Sequence, residues 1–290
     1  MTVVLYNPLA NNSRGKENAA KIAELVDEEV AFKDIRDTKL SEISPEDKVI
    51  ICGGDGTLNR IINRYGEPER ELYYYAAGSG NDFTRDIGEN GIILLNPYIK
   101  NLPTVEVKGK KYKVLNGVGY GIDGYCCEAG DRMRVKNYGK DINYASIAIK
   151  GLLIHFKPSN GTVTVDGKEY KFKKIWLAPT MNGRYYGGGM CVAPEQDRLN
   201  AERKLTCVVM YGSGKLKTLM VFPSIFKGEH IKHTEMVEVL TGHTIEVKFD
   251  RPTALQIDGE TISGVEGYIM RSAEVSGENK VGKVAAEAKK

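Results

Sequence analysis

The chain has 290 residues, 41% of them hydrophobic and 27% charged, with a formal net charge of +3. That composition excludes a disordered chain, and so small a charge gives no reason to expect nucleic acid as a partner. No apolar stretch approaches the roughly 18 residues that span a bilayer, so no transmembrane segment is expected.

The five cysteines include no C-x-x-C spacing, and Cys126 and Cys127 are adjacent. This pattern fits neither a disulfide framework nor a zinc site and is read as free thiols in a reducing cytosol. The opening Met1-Thr2-Val3-Val4-Leu5-Tyr6-Asn7-Pro8 lacks the basic region of a signal peptide.

Val3 to Tyr6 is an apolar run closed by Asn7-Pro8, which predicts a strand and a turn. From Lys16 to Val30 the residues Ala19, Ile22, Ala23 and Val26 recur at helical spacing, so a helix is expected over that range. Val49-Ile50-Ile51-Cys52 reads as a strand buried on both faces, and Leu58, Ile61 and Ile62 as one face of the following helix. Leu72 to Ala77 is the next strand. Strands alternating with helices imply a parallel sheet.

The pattern changes after about Ile99. Thr104–Val107, Lys111–Leu115, Thr162–Val165, Tyr170–Leu177, Leu205–Met210, Thr244–Phe249 and Ala254–Ile257 read as strands, with turns at Lys108-Gly109-Lys110 and Asp166-Gly167. Helices are expected near Asp141–Phe156 and Lys215–Phe226. The fold class is therefore α/β plus β-rich in two domains: 1–100 with a parallel sheet and 101–265 with an antiparallel one. A C-terminal segment follows at 266–290, and its end, Gly277 to Lys290, reads as a frayed tail.

Cys52-Gly53-Gly54-Asp55-Gly56-Thr57-Leu58-Asn59 lies between a buried strand and a helix, where open α/β sheets bind ligands. Three glycines in four residues let the backbone turn sharply, and the helix start offers N–H groups to a phosphate. Asp55 would repel phosphate, so a divalent cation or a proton-accepting role is required of it. The plain alternative is a tight turn that happens to hold an acid. No Gly-Lys pair is followed by Ser or Thr, which excludes a Walker A loop, and H-R-D and D-F-G are absent.

Five ordered segments carry a resemblance. They are Asn7-Pro8, Gly53 to Asn59, Gly78-Ser79-Gly80-Asn81-Asp82-Phe83-Thr84-Arg85, Asn116-Gly117-Val118-Gly119-Tyr120-Gly121-Ile122-Asp123, and Asp258-Gly259-Glu260. Together they resemble the diacylglycerol kinase catalytic-domain family, which includes bacterial lipid kinases and is related to sphingosine and ceramide kinases. The resemblance implies a nucleotide-binding domain first, a lipid-substrate domain second and an active site in the cleft between them, with the chain end returning to the first domain. It implies ATP held by Asn7, Pro8, Gly53, Gly54, Gly56, Thr57 and Ser79, and sets Thr38 near the nucleotide without a motif of its own. By the same resemblance Asp123 and Asn81 meet the substrate, Asp55, Asp82 and Asp123 hold Mg2+, and Glu260 is the general base, with Asp55 also catalytic. Diacylglycerol is the first acceptor it implies. It further implies a cytoplasmic protein that visits its lipid substrate peripherally at the inner membrane surface, and a homodimer is compatible with it.

Several positions depart from the family pattern. Ser79 stands for threonine, Ala76 for proline and Arg60 for glutamate, the last reversing a charge beside the glycine loop. Leu199 to Leu205 lacks the aspartates and glycine of a D-x-x-D-G-x-L magnesium segment. These departures keep open a regulator with impaired catalysis, and the G-G-D-G-T loop, shared with NAD kinases of a related two-domain plan, an NAD kinase-like phosphotransferase. Gly119 to Gly124 matches G-x-G-x-x-G only formally, because its surroundings are β-rich. His230 and His233 read as a surface pair. The basic cluster Arg132, Arg134, Lys136 and Lys140 reads as a solvated face, with anionic lipid as the alternative. The apolar stripe from Ile142 to Phe156 reads as core, with membrane contact as the alternative.

Overall fold

The computed structural model describes residues 1–8, 14–136, 147 and 156–273. In the first domain, β1 (Thr2–Tyr6), β2 (Val30–Asp34), β3 (Lys48–Gly53) and β4 (Leu72–Ala76) run parallel, and β5 (Ile92–Leu94) closes the sheet antiparallel. The strand order is β2-β1-β3-β4-β5. Central β3 is apolar at every position from Val49 to Cys52 because both of its faces are covered. Val4, Ile50 and Cys52 meet Ala19 and Ile22 of α1 (Gly15–Ala23). Val49 and Ile51 meet Leu58, Ile61 and Ile62 of α2 (Asp55–Tyr65) on the opposite face.

The helix expected to reach Val30 ends at Ala23, and Val30 opens the edge strand β2. Three consecutive acids, Asp27-Glu28-Glu29, would have faced the negative end of a longer helix. Val30 to Asp34 instead complete a five-residue ladder on β1.

Two short helices, α3 (Asp82–Ile87) and α4 (Asn96–Ile99), complete this domain. The second sheet begins with β6 (Thr104–Val107), β7 (Lys110–Lys113), β8 (Gly117–Tyr120), β9 (Ser159–Val165) and β10 (Lys168–Ile175). It continues through β11 (Thr180–Met181) and, past the separate hairpin of β12 (Tyr185–Tyr186) and β13 (Met190–Cys191), through β14 (Leu205–Met210) and β15 (Val237–Gly242) to the long pair β16 (Thr244–Ile257) and β17 (Glu260–Arg271). The order β15-β14-β11-β8-β16-β17-β6-β7 is antiparallel throughout, with β9 and β10 attached through β16.

Three of the turns are two-residue hairpins with both central φ angles positive: Lys108-Gly109, Asp166-Gly167 and Asp258-Gly259. This is the twist that matches flanking strands, and it favours a glycine in the second place. β16 runs unbroken across what the sequence reads as two strands, because Pro252 falls in an irregular stretch of the ladder rather than at a chain reversal. Helices α5 (Ile122–Lys136) and α6 (Lys215–Val221) cover one face of this sheet.

The architecture is the two-domain α/β arrangement read from the alternation of elements, with a mainly parallel sheet first and an antiparallel one second. Residues 266–271 continue β17 within the second sheet. The tail from 274, the helix expected over 141–156 apart from Ile147 and Phe156, and Lys140 of the basic cluster lie outside the described residues. Among the described residues no helix is long and apolar enough to cross a membrane. The two cores meet at a seam between β7 and β8, where Val114 enters the core of the second sheet and the next residue, Leu115, enters that of the first.

Candidate active site

The glycine loop joins β3 to α2. The Tyr74 hydroxyl donates to the Gly53 carbonyl at 2.8 Å, and the Thr57 side chain packs directly against Gly53. Gly54 has an ordinary extended φ of −101°, so its glycine is not required by backbone angle. It is required by approach: a Cβ on Gly78 would sit 2.6 Å from the Gly54 Cα, so the two glycine segments pack backbone on backbone. Gly56 and Ser79 are exposed and Thr57 half-buried, which leaves the lip of this double loop open. The first turn of α2 points its N–H groups toward that lip, as a phosphate-binding loop needs.

Asn81 closes the second loop. It holds a left-handed φ of 50°, accepts the Gly78 N–H at 3.0 Å and donates to the Gly78 carbonyl at 2.9 Å. Its side chain therefore shapes the loop instead of facing the cleft. Asp55 then resolves the puzzle of an acid in a phosphate loop. Its carboxylate accepts the Asp82 and Phe83 N–H groups, each at 2.9 Å, and so caps α3. It also takes the Asn116 side-chain amide at 3.2 Å. Its charge is offset in part by a helix N-terminus and an amide.

Asp82 lies beside Asp55, and a Cβ built on Gly80 would meet a carboxylate oxygen of each, at 3.8 and 3.6 Å. Asp82 accepts the Gly188 N–H of the β12–β13 turn at 2.7 Å and has the Arg85 guanidinium at 3.3 Å. Burial, and after it the charge of Asp55, push its pKa up to about 6. Asp123, in the first turn of α5, is buried against the Tyr186 hydroxyl, and burial pushes it up to about 7. Two of the three carboxylates named for Mg2+ are neighbours and the third lies in the second domain. Asp55 and Asp82 adjoin and are occupied by N–H donors, whereas Asp123 lies beneath the hairpin next to Tyr186. Among the described residues no three His, Cys, Asp or Glu side chains are grouped to hold a metal. In the segment compared with D-x-x-D-G-x-L, Arg203 takes a left-handed φ of 54° and the Asn200 side chain accepts the Lys204 N–H at 2.8 Å.

Asp258-Gly259-Glu260 is the turn between β16 and β17, and its aspartate has a role that the motif did not reveal. The Asp258 carboxylate accepts the N–H groups of Leu115, Asn116 and Gly117 at 2.7, 2.8 and 3.0 Å, and the Asn59 side-chain amide at 3.0 Å. One buried acid thus fastens the hairpin to the seam and to α2. Burial raises its pKa while these four donors act to lower it. The fastening brings exposed Glu260 to within 3.4 Å of exposed Arg60, five residues along α2 from Asp55. Five residues are about 7.5 Å of helical rise.

The remaining expected positions are more scattered. Asn7 and Pro8 close β1 half-buried, and residues 9–13 lie outside the described residues. Thr38 accepts the Tyr65 hydroxyl through its carbonyl at 3.2 Å, at the C-terminal end of α2 and not beside the glycine loop at its start. His230 is fully buried, against the surface reading. Its Nε2 meets the Val192 carbonyl at 2.9 Å, and burial lowers its pKa to about 4. His233 is half-buried, and the two are joined only through the backbone, the His233 N–H donating to the His230 carbonyl at 3.1 Å.

Sequence reasoning missed Asp86, Arg184 and Arg198. Asp86 on α3 accepts from both arginines of the second domain. Arg198 also donates to the Asn116 side-chain carbonyl at 2.9 Å and lies over the Phe83 ring at 4.8 Å. Neither arginine belongs to a motif. The available signal was Asp86 itself, an acid directly after the Asn81–Arg85 segment.

Four segments remote in sequence are therefore joined through the Asp55 and Asp258 carboxylates. Residues 1–101 match the diacylglycerol kinase catalytic domain, and residues 116–271 match the YegS C-terminal NAD kinase beta sandwich-like domain. The chain belongs to the diacylglycerol kinase catalytic-domain family. Its relatives within that family include a protein named diacylglycerol kinase from Mycobacterium tuberculosis, 27% identical over 217 residues, which cover 70% of this chain and 67% of the relative. A crystal structure described as a diacylglycerol kinase from Bacillus anthracis aligns with a TM-score of 0.60 at 19% identity, over 93% of this chain and 94% of the other. That likeness shows the fold of the family. The two family matches leave residues 102–115 between them, which is the β6–β7 hairpin and the first part of the seam.

Proposed function

We propose that this protein is an ATP-dependent lipid kinase that phosphorylates a lipid hydroxyl, with diacylglycerol, giving phosphatidic acid, as the first acceptor. The observation that carries this reading is the Asp55 carboxylate, which joins the glycine loop, the N-terminus of α3 and Asn116 of the seam within 3.2 Å. Membership of a kinase family supports ATP as the donor. ATP, when bound, supplies the γ-phosphoryl group. Gly54 and Gly56 would offer backbone N–H groups to its phosphates, Gly53 the sharp turn that lets them approach, Thr57 and Ser79 hydroxyls from the two facing loops, and Asn7 and Pro8 the end of β1.

Phosphoryl transfer depends mostly on positioning and charge neutralisation. In this reading Asp55 and Asn81 act by holding the two glycine loops in register. Asp123 would face the acceptor's head group from beneath the hairpin. Glu260 would take the proton of the acceptor hydroxyl, with Arg60 beside it as the compensating cation. Magnesium is proposed as the companion of the nucleotide phosphates, with Asp55, Asp82 and Asp123 as the carboxylates that would share it. A peripheral visit to the membrane follows from a lipid acceptor.

The test is incubation with labelled ATP and Mg2+ over dispersed diacylglycerol, sphingoid bases and phosphatidylglycerol, in parallel with NAD. A labelled lipid that disappears with Glu260→Gln supports the reading. Formation of NADP, or ATP binding with no product on any acceptor, overturns it.

A further inference from the structure

We propose that the outer face of α6 and the turn that follows it is a docking surface for an anionic lipid bilayer. The segment from Lys215 to Lys227 is apolar on two sides. On the inner side, Val221, Phe222 and Ile225 are buried in the core that also holds Tyr186 and Ile122. On the outer side, Leu216 is 72% exposed and Met220 67%, the two most exposed large apolar side chains among the described residues. They are four residues apart and so share one face of the helix. Phe226, 41% exposed, extends the patch into the 3-10 turn Phe222–Lys227.

Charge decides what would cover such a face. Lys215, Lys217 and Lys227 are all exposed, and no acidic residue occurs between Ser213 and Gly228. Lys217 does reach Glu235 at 2.9 Å, but that acid lies outside the segment. Apolar side chains rimmed by lysines are the pattern that settles into the interface of an anionic bilayer, with the carbons below the head groups and the ammonium groups among them. A second copy of this chain fits less well. A twofold contact across the same face would set each lysine cluster against its own copy, in a chain of net charge +3.

The place of the patch matters as well. Gly228, at its end, packs against Pro194 and Cys191 of the hairpin region, and the same hairpin turn donates the Gly188 N–H to Asp82. The docking face and the candidate cleft therefore share one structural layer. This inference deepens the proposed function, because a kinase for lipids must meet its acceptor in a bilayer, but its test reads binding and not turnover.

The experiment is co-sedimentation of the full chain with vesicles of phosphatidylcholine alone and with about 30% phosphatidylglycerol, at low and high salt. The expected result is binding that needs the anionic lipid and weakens with salt. Leu216→Ser with Met220→Ser should reduce the partition coefficient by about tenfold or more. Lys217→Ala with Lys227→Ala should remove most of the salt-sensitive part. Leu25→Ser, which changes another exposed apolar side chain in the first domain, should leave it unchanged. The inference fails if the unaltered chain does not bind, if the Leu216/Met220 variant binds as well as the parent, or if that variant instead abolishes a lipid-independent dimer. Phosphorylation of detergent-dispersed lipid without vesicle binding would sink the docking face and keep the kinase. Vesicle binding without phosphotransfer would do the reverse.

Discussion

The acids of the cleft differ in what surrounds them, and the surroundings separate their roles. Glu260 is exposed and, among the described residues, its side chain is paired with exposed Arg60. Glu260→Gln should therefore leave the melting temperature unchanged while lowering kcat by about 10²–10⁴, the usual range for a general base. Asp55 has two tasks, so Asp55→Ala should abolish activity and also cost about 1–2 kcal/mol of stability through the lost cap, measured by denaturant unfolding. Asp82, like Asp123, is pH-sensitive. Its folded pKa of about 6 lies above the ordinary 3.8, so the folded state holds this proton more tightly than the unfolded chain does. Ionisation thus costs stability above about pH 6, and that cost fades as pH falls to about 4. Asp82→Asn should raise the unfolding free energy by up to about 3 kcal/mol at neutral pH and by little at pH 4, the Gly188 N–H keeping an amide oxygen as its acceptor.

The hairpin of β16 and β17 is the element on which the site depends most. Asp258→Ala would leave three adjacent N–H groups of the seam and the Asn59 amide without their acceptor. A loss of about 3–5 kcal/mol is expected, the range for removing one partner of a buried charged network. Activity should fall with stability, because Glu260 rides on the same turn. Such dependence shows what could be read in advance. The glycine loop, β3, β4 and the two Gly-containing turns of the second sheet were legible because local chemistry fixes them: apolar runs, helical spacing, and residues that tolerate positive φ. β8, β15 and β17 were not. Gly117 to Tyr120 looks like a loop by composition and becomes a strand because β11 and β16 flank it. α5 was hidden likewise, since its start is the glycine motif itself. At the site, the resemblance could mark Asp55, Asn81, Asp123 and Glu260 as candidates. It could not say that Asp55 caps a helix 27 residues away or that Asp258 reaches back 143 residues to Leu115, because those partners are chosen by the tertiary fold.

Between the two domains the contacts are polar and concentrated. Asp86 with Arg184 and Arg198, Asp82 with Gly188, and Asn59 with Asp258 tie α2 and α3 to the second domain. Arg198, whose side chain is only 4% exposed, has its charge matched by the Asp86 carboxylate. Arg198→Met should destabilise the chain by about 3–5 kcal/mol by leaving Asp86 less well paired in a buried place. It should also loosen the coupling of the two sheets, seen as two calorimetric transitions where the parent shows one. The polar character of the interface also bears on function, since a cleft held by few directed contacts can close on a ligand without repacking either apolar core.

Leu115, Asn116 and Gly117 have the sequence position of a linker, and linkers ordinarily exchange their amide protons with solvent within moments. Here all three donate to one buried carboxylate whose release requires the β16–β17 turn to come away from the interface. Their deuterium uptake should therefore be as slow as that of β3, reporting global opening and not local fraying. In this chain the stretch that joins the domains would be among the last to become labelled, and domain movement would have to pivot somewhere other than the joint.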